Sequence, residues 1–249
     1  MALTGIAYSR AKRRKQIFVA TSSVGPGSTN MLTAAAVAMS NRLPMLFLPG
    51  DTYANRMPDP VLQQVEHFNN PNITQNDAFK YVTRYFDRIT RPEQILQTLP
   101  QAIQTMIDPA DCGPACISLS QDVQGETFSY PVDFFKEKIH TIRRPRPDDY
   151  QIKQAADIIK KSKNPIIISG GGIFYSDAMK ELSQFAKKHN IPTAQTVMGY
   201  STMKRDDPYF LGAIGGFGGK APNDFMKKTD LAIAIGTKLA DFTTGSWTN

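Results

Sequence analysis

The stretch Val19–Met31, VATSSVGPGSTNM, decides the fold. An apolar run, IFVATS, stops at two serines, turns through Gly25-Pro26-Gly27 and restarts as a helix at Asn30. A short buried strand feeding through a glycine turn into a helix is the repeating unit of open α/β sheets. Ligands in such sheets sit where strand carboxyl ends meet helix N-termini. Glycine lets a ligand or a neighbouring chain approach the backbone closely, Pro26 fixes the turn, and Asn30 can bond its own backbone near the helix start. The same spacing also serves a turn that holds no ligand. No Gly-Lys-Ser/Thr follows, so it is not a phosphate loop.

Outward from this turn the same alternation continues. MALTGIAYSRAKRR reads as an amphipathic helix with Leu3, Ile6, Ala7 and Ala11 on one face. TNMLTAAAVAMSNR is an alanine-rich helix, and LPMLFLPGD is a second strand ended by its proline and glycine. An irregular region, DTYANRMPDPVLQQVEHFNNPNITQNDAF, leads to YVTRYFDRI, a strand or the entry to a helix. RPEQILQTLPQAIQTMID is a helix and GPACISLSQDV a strand. After the connector HTIRRPRPDDY the second half repeats the logic. Helix DDYQIKQAADIIKKSK is capped by Asp148 or Asp149, and NPIIISGGG and IPTAQTV are strands around helix SDAMKELSQFAKKHN. The glycine-rich GAIGGFGGKAP then precedes helix NDFMKK and the buried strand DLAIAIGT. These strands lack polar alternation, which predicts burial on both faces and a parallel sheet covered by helices. The fold class is α/β, with two doubly wound, mainly parallel-sheet domains.

Composition bounds the function. The 249 residues are 41% hydrophobic and 20% charged, an ordinary globular balance. No apolar segment approaches a membrane span and no secretory leader is recognisable, so a cytoplasmic location is expected. The net charge of +7 is concentrated at Arg10, Lys12, Arg13, Arg14 and Lys15 and at Arg143, Arg144 and Arg146, leaving the remainder close to neutral. Neither cluster is interleaved with aromatic residues, so both read as solvated faces rather than a nucleic-acid surface. Cys112 and Cys116 are too few for a disulfide framework or a zinc site, and Cys116 reads as a buried thiol. Met31, Met39 and Met45 read as core filling, and Asp230 as a turn residue.

Two further segments invite chemistry. Gln63, Gln64, Glu66, His67, Asn69 and Asn70 form the most polar cluster after a strand end, and a polyhydroxylated ring needs such donors and acceptors. A solvated surface loop has the same composition. SGGGIFYS offers Gly170 and Gly172 as the first two glycines of a dinucleotide fingerprint. Tyr175 occupies the third position, and no acidic residue follows the next strand near Gln195. That is a degenerate fingerprint, and neither NAD nor flavin is expected.

SSVGPGSTNMLTAAAVAMSNRLPMLFLPGD resembles the thiamine-diphosphate enzymes of the acetolactate synthase and pyruvate oxidase group, in their pyrimidine-binding domain. QIFVATSSVGPGSTNM, PDPVLQQVEHFNNP, DAFKYVTRYFDRI, DPADCGPACISLSQDVQGE and IRRPRPD are similar to one branch of it. That branch hydrolyses the carbon–carbon bond between the carbonyls of a cyclic 1,2-diketone in myo-inositol breakdown, giving a ring-opened deoxy-sugar acid. The likeness covers essentially the whole chain. It implies a pyrimidine-binding-type domain at 1–139, a linker at 140–150 and a central, nucleotide-binding-like domain at 151–249, both incomplete. Gly25, Pro26, Gly27 and Asn30 would then wall the cofactor pocket, and the polar cluster would face substrate.

The resemblance also carries expectations about what this chain lacks. The family's catalytic glutamate is expected a few residues before Met1, and its diphosphate and magnesium domain after Asn249. No catalytic residue and no metal ligand is therefore expected in this chain, which reads as an internal fragment, inactive alone, of a homo-oligomer (dimer or tetramer). The alternatives are another member of the family, such as an acetolactate-synthase-like enzyme, and a non-catalytic nucleotide-binding or structural module.

Overall fold

The computed structural model describes residues 1–58, 60–65 and 67–248. The chain divides into two compact units, one ending at Arg144 and the other beginning at Pro145. The first is built on β1 (Phe18–Ser22), β2 (Met45–Asp51), β3 (Tyr85–Ile89) and β4 (Ala115–Ser120), all parallel, in the order β1-β2-β4-β3. The second is built on β5 (Pro165–Ser169), β6 (Thr193–Gln195), β7 (Phe210–Ala213) and β8 (Leu231–Ile235), again parallel, in the order β7-β6-β5-β8. Two all-parallel sheets with flanking helices are the α/β architecture expected from the sequence.

Burial follows position in the sheet. In the first unit the central strands β2 and β4 are almost wholly buried, and Leu46, Ala115 and Ile117 pack with Ala102 and Met106 of helix Ile95–Ile107. In the second, the run Ile166-Ile167-Ile168 splits between two faces. Ile167 packs with Ile173, Leu182, Ala186 and Ile191, whereas Ile166 and Ile168 pack with Ala194 and Ile214. Successive strand residues point to opposite faces, so an unbroken apolar run is what a strand covered on both sides requires.

The structure departs from expectation at several elements. The first helix, Ala2–Ala11, buries Gly5, Ile6 and Ser9, while Ala7 and Ala11 are exposed and Leu3 is 59% exposed. The cause is close packing on β1: a Cβ at Gly5 would lie 2.6 Å from the Phe18 ring, so the helix turns its smallest residue inward. β2 does not stop at its proline but runs through Pro49 and Gly50 to Asp51, pairing with β4 at Leu46 and Phe47 and again at Gly50 and Asp51. β7 arises where a glycine-rich loop was expected, with Gly212 at φ +108 beside a register shift in β6. β8 is an edge strand rather than a buried one, and its Ile235 is 36% exposed.

Other readings hold. Asp148 caps helix Asp149–Lys161, accepting from the Gln151 N–H at 2.8 Å. Asp230 fastens the turn before β5, accepting from the Ser162 hydroxyl and from the Lys163 and Asn164 N–H groups at 2.7 and 3.0 Å. These bonds, the Ser162 hydroxyl first, hold its carboxyl below the ordinary value. Met31 and Met45 are buried, as are both cysteines, whereas Met39 is only half-buried. Residues 137–148 form no regular element and are almost entirely exposed.

Candidate functional site

The Gly25 turn sits at the carboxyl end of β1. Gly25 has φ +74 and ψ −126, a conformation open to glycine, and it is buried. Pro26 then takes the first position of a helical turn, Pro26–Thr29, where a missing N–H costs nothing. The helix therefore starts four residues earlier than expected, breaks at Asn30 and Met31, and resumes as Leu32–Ser40. Gly27 is half-buried and Asn30 exposed.

Gly27 and Asn30 line a cleft of about 380 Å³ together with Thr21, Ser22, Met31, Thr33, Ala34 and the first three residues of the chain. Its lining mixes polar residues, Thr21, Ser22, Asn30 and Thr33, with apolar ones, Leu3, Met31 and Ala34. Gly25 does not line it. A Cβ at Gly25 would fall 1.7 Å from the backbone carbonyl oxygen of Gln63, which lies across the turn. Gln63 itself has φ +67, and its side-chain Oε1 lies 3.5 Å from the Ser23 hydroxyl, within reach as acceptor. The structure thus joins two segments that the sequence presents separately.

Elsewhere in the polar cluster the hydrogen bonds run within the loop. Gln64 Oε1 accepts from the Val61 N–H at 3.1 Å, the His67 carbonyl accepts from Asn70 N–H at 3.0 Å, and Asn70 Oδ1 accepts from Asn72 N–H at 3.3 Å. His67, Asn69 and Asn70 are exposed, and Glu66 lies outside the described residues.

Beneath the turn lies a buried polar network that the sequence did not reveal. Ser28, fully buried, donates to Oδ1 of Asn76. The Asn76 amide donates to the Gly50 carbonyl at 2.9 Å and to the Ser118 hydroxyl at 2.7 Å. Ser118 donates to Asp51 Oδ2 at 2.5 Å, and the same oxygen accepts from Arg88 Nε at 2.8 Å. Arg88 Nη2 also reaches Thr74 Oγ1 at 2.9 Å and Asp77 Oδ1 at 3.0 Å. Thr74 and Asp77 form a capping box on the 3₁₀ turn Gln75–Tyr81.

Every oxygen of the Asp51 carboxylate is satisfied, which a buried charge requires. Burial pushes Asp77 up, but hydrogen bonds from Lys80 and the Thr74 N–H, with the Arg88 charge, hold it below the ordinary carboxylate value. Burial works against the Arg88 charge, and the two aspartates outweigh it and raise its pKa. Asn76 therefore ties the helical turn to the ends of β2 and β4. The one sequence signal was the Thr-x-x-Asp spacing at Thr74 and Asp77.

In the second unit the glycine turn serves packing. Added Cβ atoms at Gly170 and Gly172 would fall 2.2 Å from the Gly236 carbonyl oxygen and 2.6 Å from the Gly236 Cα, and Gly172 N–H donates to that carbonyl at 2.9 Å. Tyr175, at the third fingerprint position, is buried. Among the described residues no group of three or more His, Cys, Asp or Glu is placed to hold a metal ion, and no helix is long and apolar enough to cross a membrane.

A glycine turn and a cleft at the carboxyl edge of an all-parallel sheet are where open α/β proteins hold their ligands. The thiamine pyrophosphate enzyme N-terminal binding domain matches residues 1–71, and the central domain of the same enzymes matches residues 152–249. The chain belongs to the thiamine pyrophosphate enzyme family. It is 48% identical over 248 residues to the 3D-(3,5/4)-trihydroxycyclohexane-1,2-dione hydrolase of Listeria monocytogenes, covering 100% of this chain and 39% of that protein. Proteins of the same name from Clostridium botulinum and Bacillus cereus are 48% and 47% identical over 246 residues, covering 99% of this chain and 38% of each. The chain thus spans about two-fifths of the length of the curated relatives it matches.

Proposed function

We propose that this chain is the pyrimidine-holding and central part of a thiamine-diphosphate-dependent hydrolase that opens a trihydroxycyclohexane-1,2-dione between its two carbonyls, giving a 5-deoxy-glucuronate-type acid. The observation that carries this reading is the 48% identity along the whole chain to hydrolases of that name. The cleft at Gly27 and Asn30 supports it, because an aminopyrimidine has polar edges and apolar faces. Thr21, Ser22 and Asn30 line the cleft with hydrogen-bonding groups, and Met31, Ala34 and Leu3 line it with apolar ones. The residues present fit that ring.

In this reading Gly27 and Asn30 wall the ring directly, Pro26 holds the turn, and Gly25 acts beneath it by letting Gln63 close over the strand end. The bound cofactor supplies inversion of polarity at a carbonyl carbon, which is the difficult part of the cleavage. The chain's own residues bind, orient and exclude water. Residues 1–139 form the pyrimidine-type domain, 140–150 the linker and 151–249 the central domain. The complete enzyme works in the cytoplasm in myo-inositol catabolism, as a dimer or tetramer with magnesium. This chain alone gives no turnover.

The test is a titration of the 249-residue chain with thiamine, read from the backbone amides of Gly27 and Asn30. Saturable shifts at both support the reading, and silence at both refutes it. Assay of the complete gene product with the cyclic diketone against pyruvate separates this hydrolase from an acetolactate-synthase-like relative. Tight NAD or FAD binding at Gly170 would favour a nucleotide-binding module.

A further inference from the structure

A second crevice adjoins the same strand end and shares Thr21 and Ser22 with the first. It has a volume of about 220 Å³ and opens at the carboxyl ends of β1, β2 and β4, between Thr21, Ser22, Ser23, Gly50, Gln121 and Gln124. Open parallel sheets place their ligands at this edge. The volume is below the ~300–1,000 Å³ of drug-sized sites, a scale suited to a single small ring.

The hydrogen-bonding character of the lining defines the ligand. No charged residue lines the crevice. The carboxylates at these strand ends are already spent: Asp51 on Arg88, Ser118 and the Thr52 N–H, and Asp122 on the Ala54 and Asn55 N–H groups at 2.8 and 3.0 Å. Beside the apolar Val24, Leu48 and Leu119, which suit the carbon face of a ring, what remains is hydroxyl and amide. Thr21 donates to the Leu48 carbonyl at 2.8 Å and Ser22 to the Ser23 carbonyl at 3.1 Å, so each keeps lone pairs free to accept. Gln124 gives one N–H to the Leu119 carbonyl at 3.1 Å, leaving its other N–H and its oxygen. Gln121 is half-buried, and its side-chain amide bonds to no other described residue. A side-chain amide offers a donor and an acceptor side by side, which matches two neighbouring hydroxyls of a polyol. An anion would find no cation here, and a cation no free carboxylate.

We propose that this crevice is a subsite for a neutral polyhydroxylated carbocycle, with Gln121 as its principal hydrogen-bonding residue and Ser22, Ser23 and Gln124 completing the ring of partners. The assignment rests on the proposed function for its place in catalysis: Thr21 and Ser22 also line the pyrimidine cleft, so the two ligands would share one strand end as a boundary. It assigns substrate specificity to Gln121 and Gln124 rather than to the loop containing His67.

The experiment is a ¹H–¹⁵N titration of the 249-residue chain with myo-inositol, with cyclohexanol and inorganic phosphate as comparison probes. Saturable shifts of the Gln121 and Gln124 side-chain amides are expected with the polyol alone, and Gln121→Leu is expected to weaken it about tenfold, the worth of one to two hydrogen bonds. Ser23→Ala, at an exposed position, provides a second variant with a smaller loss. An unchanged affinity in both variants, equal shifts with phosphate, or no response of Gln121 overturns the proposal. The thiamine titration at Gly27 and Asn30 reads the other site separately. Silence there with a polyol response at Gln121 removes the proposed enzyme and keeps the subsite, and the converse removes the subsite alone.

Discussion

Replacing Asn76 by alanine tests whether the buried network holds the turn. The side chain satisfies four groups at once: the Gly50 carbonyl at 2.9 Å, the Ser118 hydroxyl at 2.7 Å, and the Ser28 hydroxyl and Gln75 Nε2, at 3.3 Å, that donate to it. Ser118 keeps its bond to Asp51 and the long contact from Gln75 is the weakest, so the variant strands at least the Gly50 carbonyl and the Ser28 hydroxyl in a site with no exposed surface at Ser28. A buried polar group left without a partner costs about 1–3 kcal/mol, so the expected loss is about 2–6 kcal/mol. That is a large share of the ~5–15 kcal/mol that keeps a domain folded. The assay is urea unfolding followed separately through the methyl signals of Ile117 in the first unit and Ile167 in the second. The Ile117 transition should move to much lower urea while the Ile167 transition stays in place. Asn72→Ala, on the exposed loop, should change stability by no more than about 0.5 kcal/mol. Asn76→Asp keeps an acceptor for Ser28 but loses the donors and brings a second carboxylate towards Asp51, so it should be less stable at pH 7 than at pH 5. A loss below 1 kcal/mol for Asn76→Ala would refute the reasoning, because the turn would then be held by something else.

Three further outcomes follow from the geometry. Gly25→Ala sets a methyl group 1.7 Å from the Gln63 carbonyl oxygen and adds backbone strain of about 1–3 kcal/mol at φ +74, ψ −126, so faster amide exchange across Val61–Gln64 is expected; unchanged exchange would show that the loop does not rest on Gly25. Gly172→Ala, whose Cβ would fall 2.6 Å from the Gly236 Cα, should destabilise the second unit and leave the Ile117 transition untouched. Burial raises the Cys112 thiol from 9.0 to about 11, so the fold favours the neutral form. The resulting stability is present below pH 9 and is lost as pH rises from 9 towards 11, and Cys112→Ala should flatten the part of that slope due to Cys112 in a pH series of urea midpoints.

The parts of the fold legible in the sequence were those where one local signal is dense. IFVATS, LPMLFLPGD and NPIIIS are apolar runs bounded by turn residues, and each is a strand. The Gly-Pro-Gly turn packs its whole signal into three adjacent residues. The parts that escaped depend on partners distant in sequence. The first helix presents Gly5 and Ser9 inward because Phe18 fills the space beside it, which no periodicity of apolar residues encodes. β7 hides in a glycine-rich run because Gly212 takes φ +108 in an edge strand, where apolar patterning is weakest. The network residues Ser28, Asp51, Asn76, Arg88 and Ser118 come from five separate elements or their ends, and each taken singly resembles an ordinary turn or surface residue. The polar crevice was illegible for the same reason: Ser22, Ser23, Gln121 and Gln124 meet only once β1 and β4 flank β2.

Thr21 and Ser22 carry a consequence for how this protein can diverge. A strand end that lines two hollows is a shared boundary, and any bulk added to it is taken from one neighbour or the other. Tolerance in a saturation scan should therefore be narrowest at these two positions and relax at Val19, whose side chain is exposed and faces neither hollow.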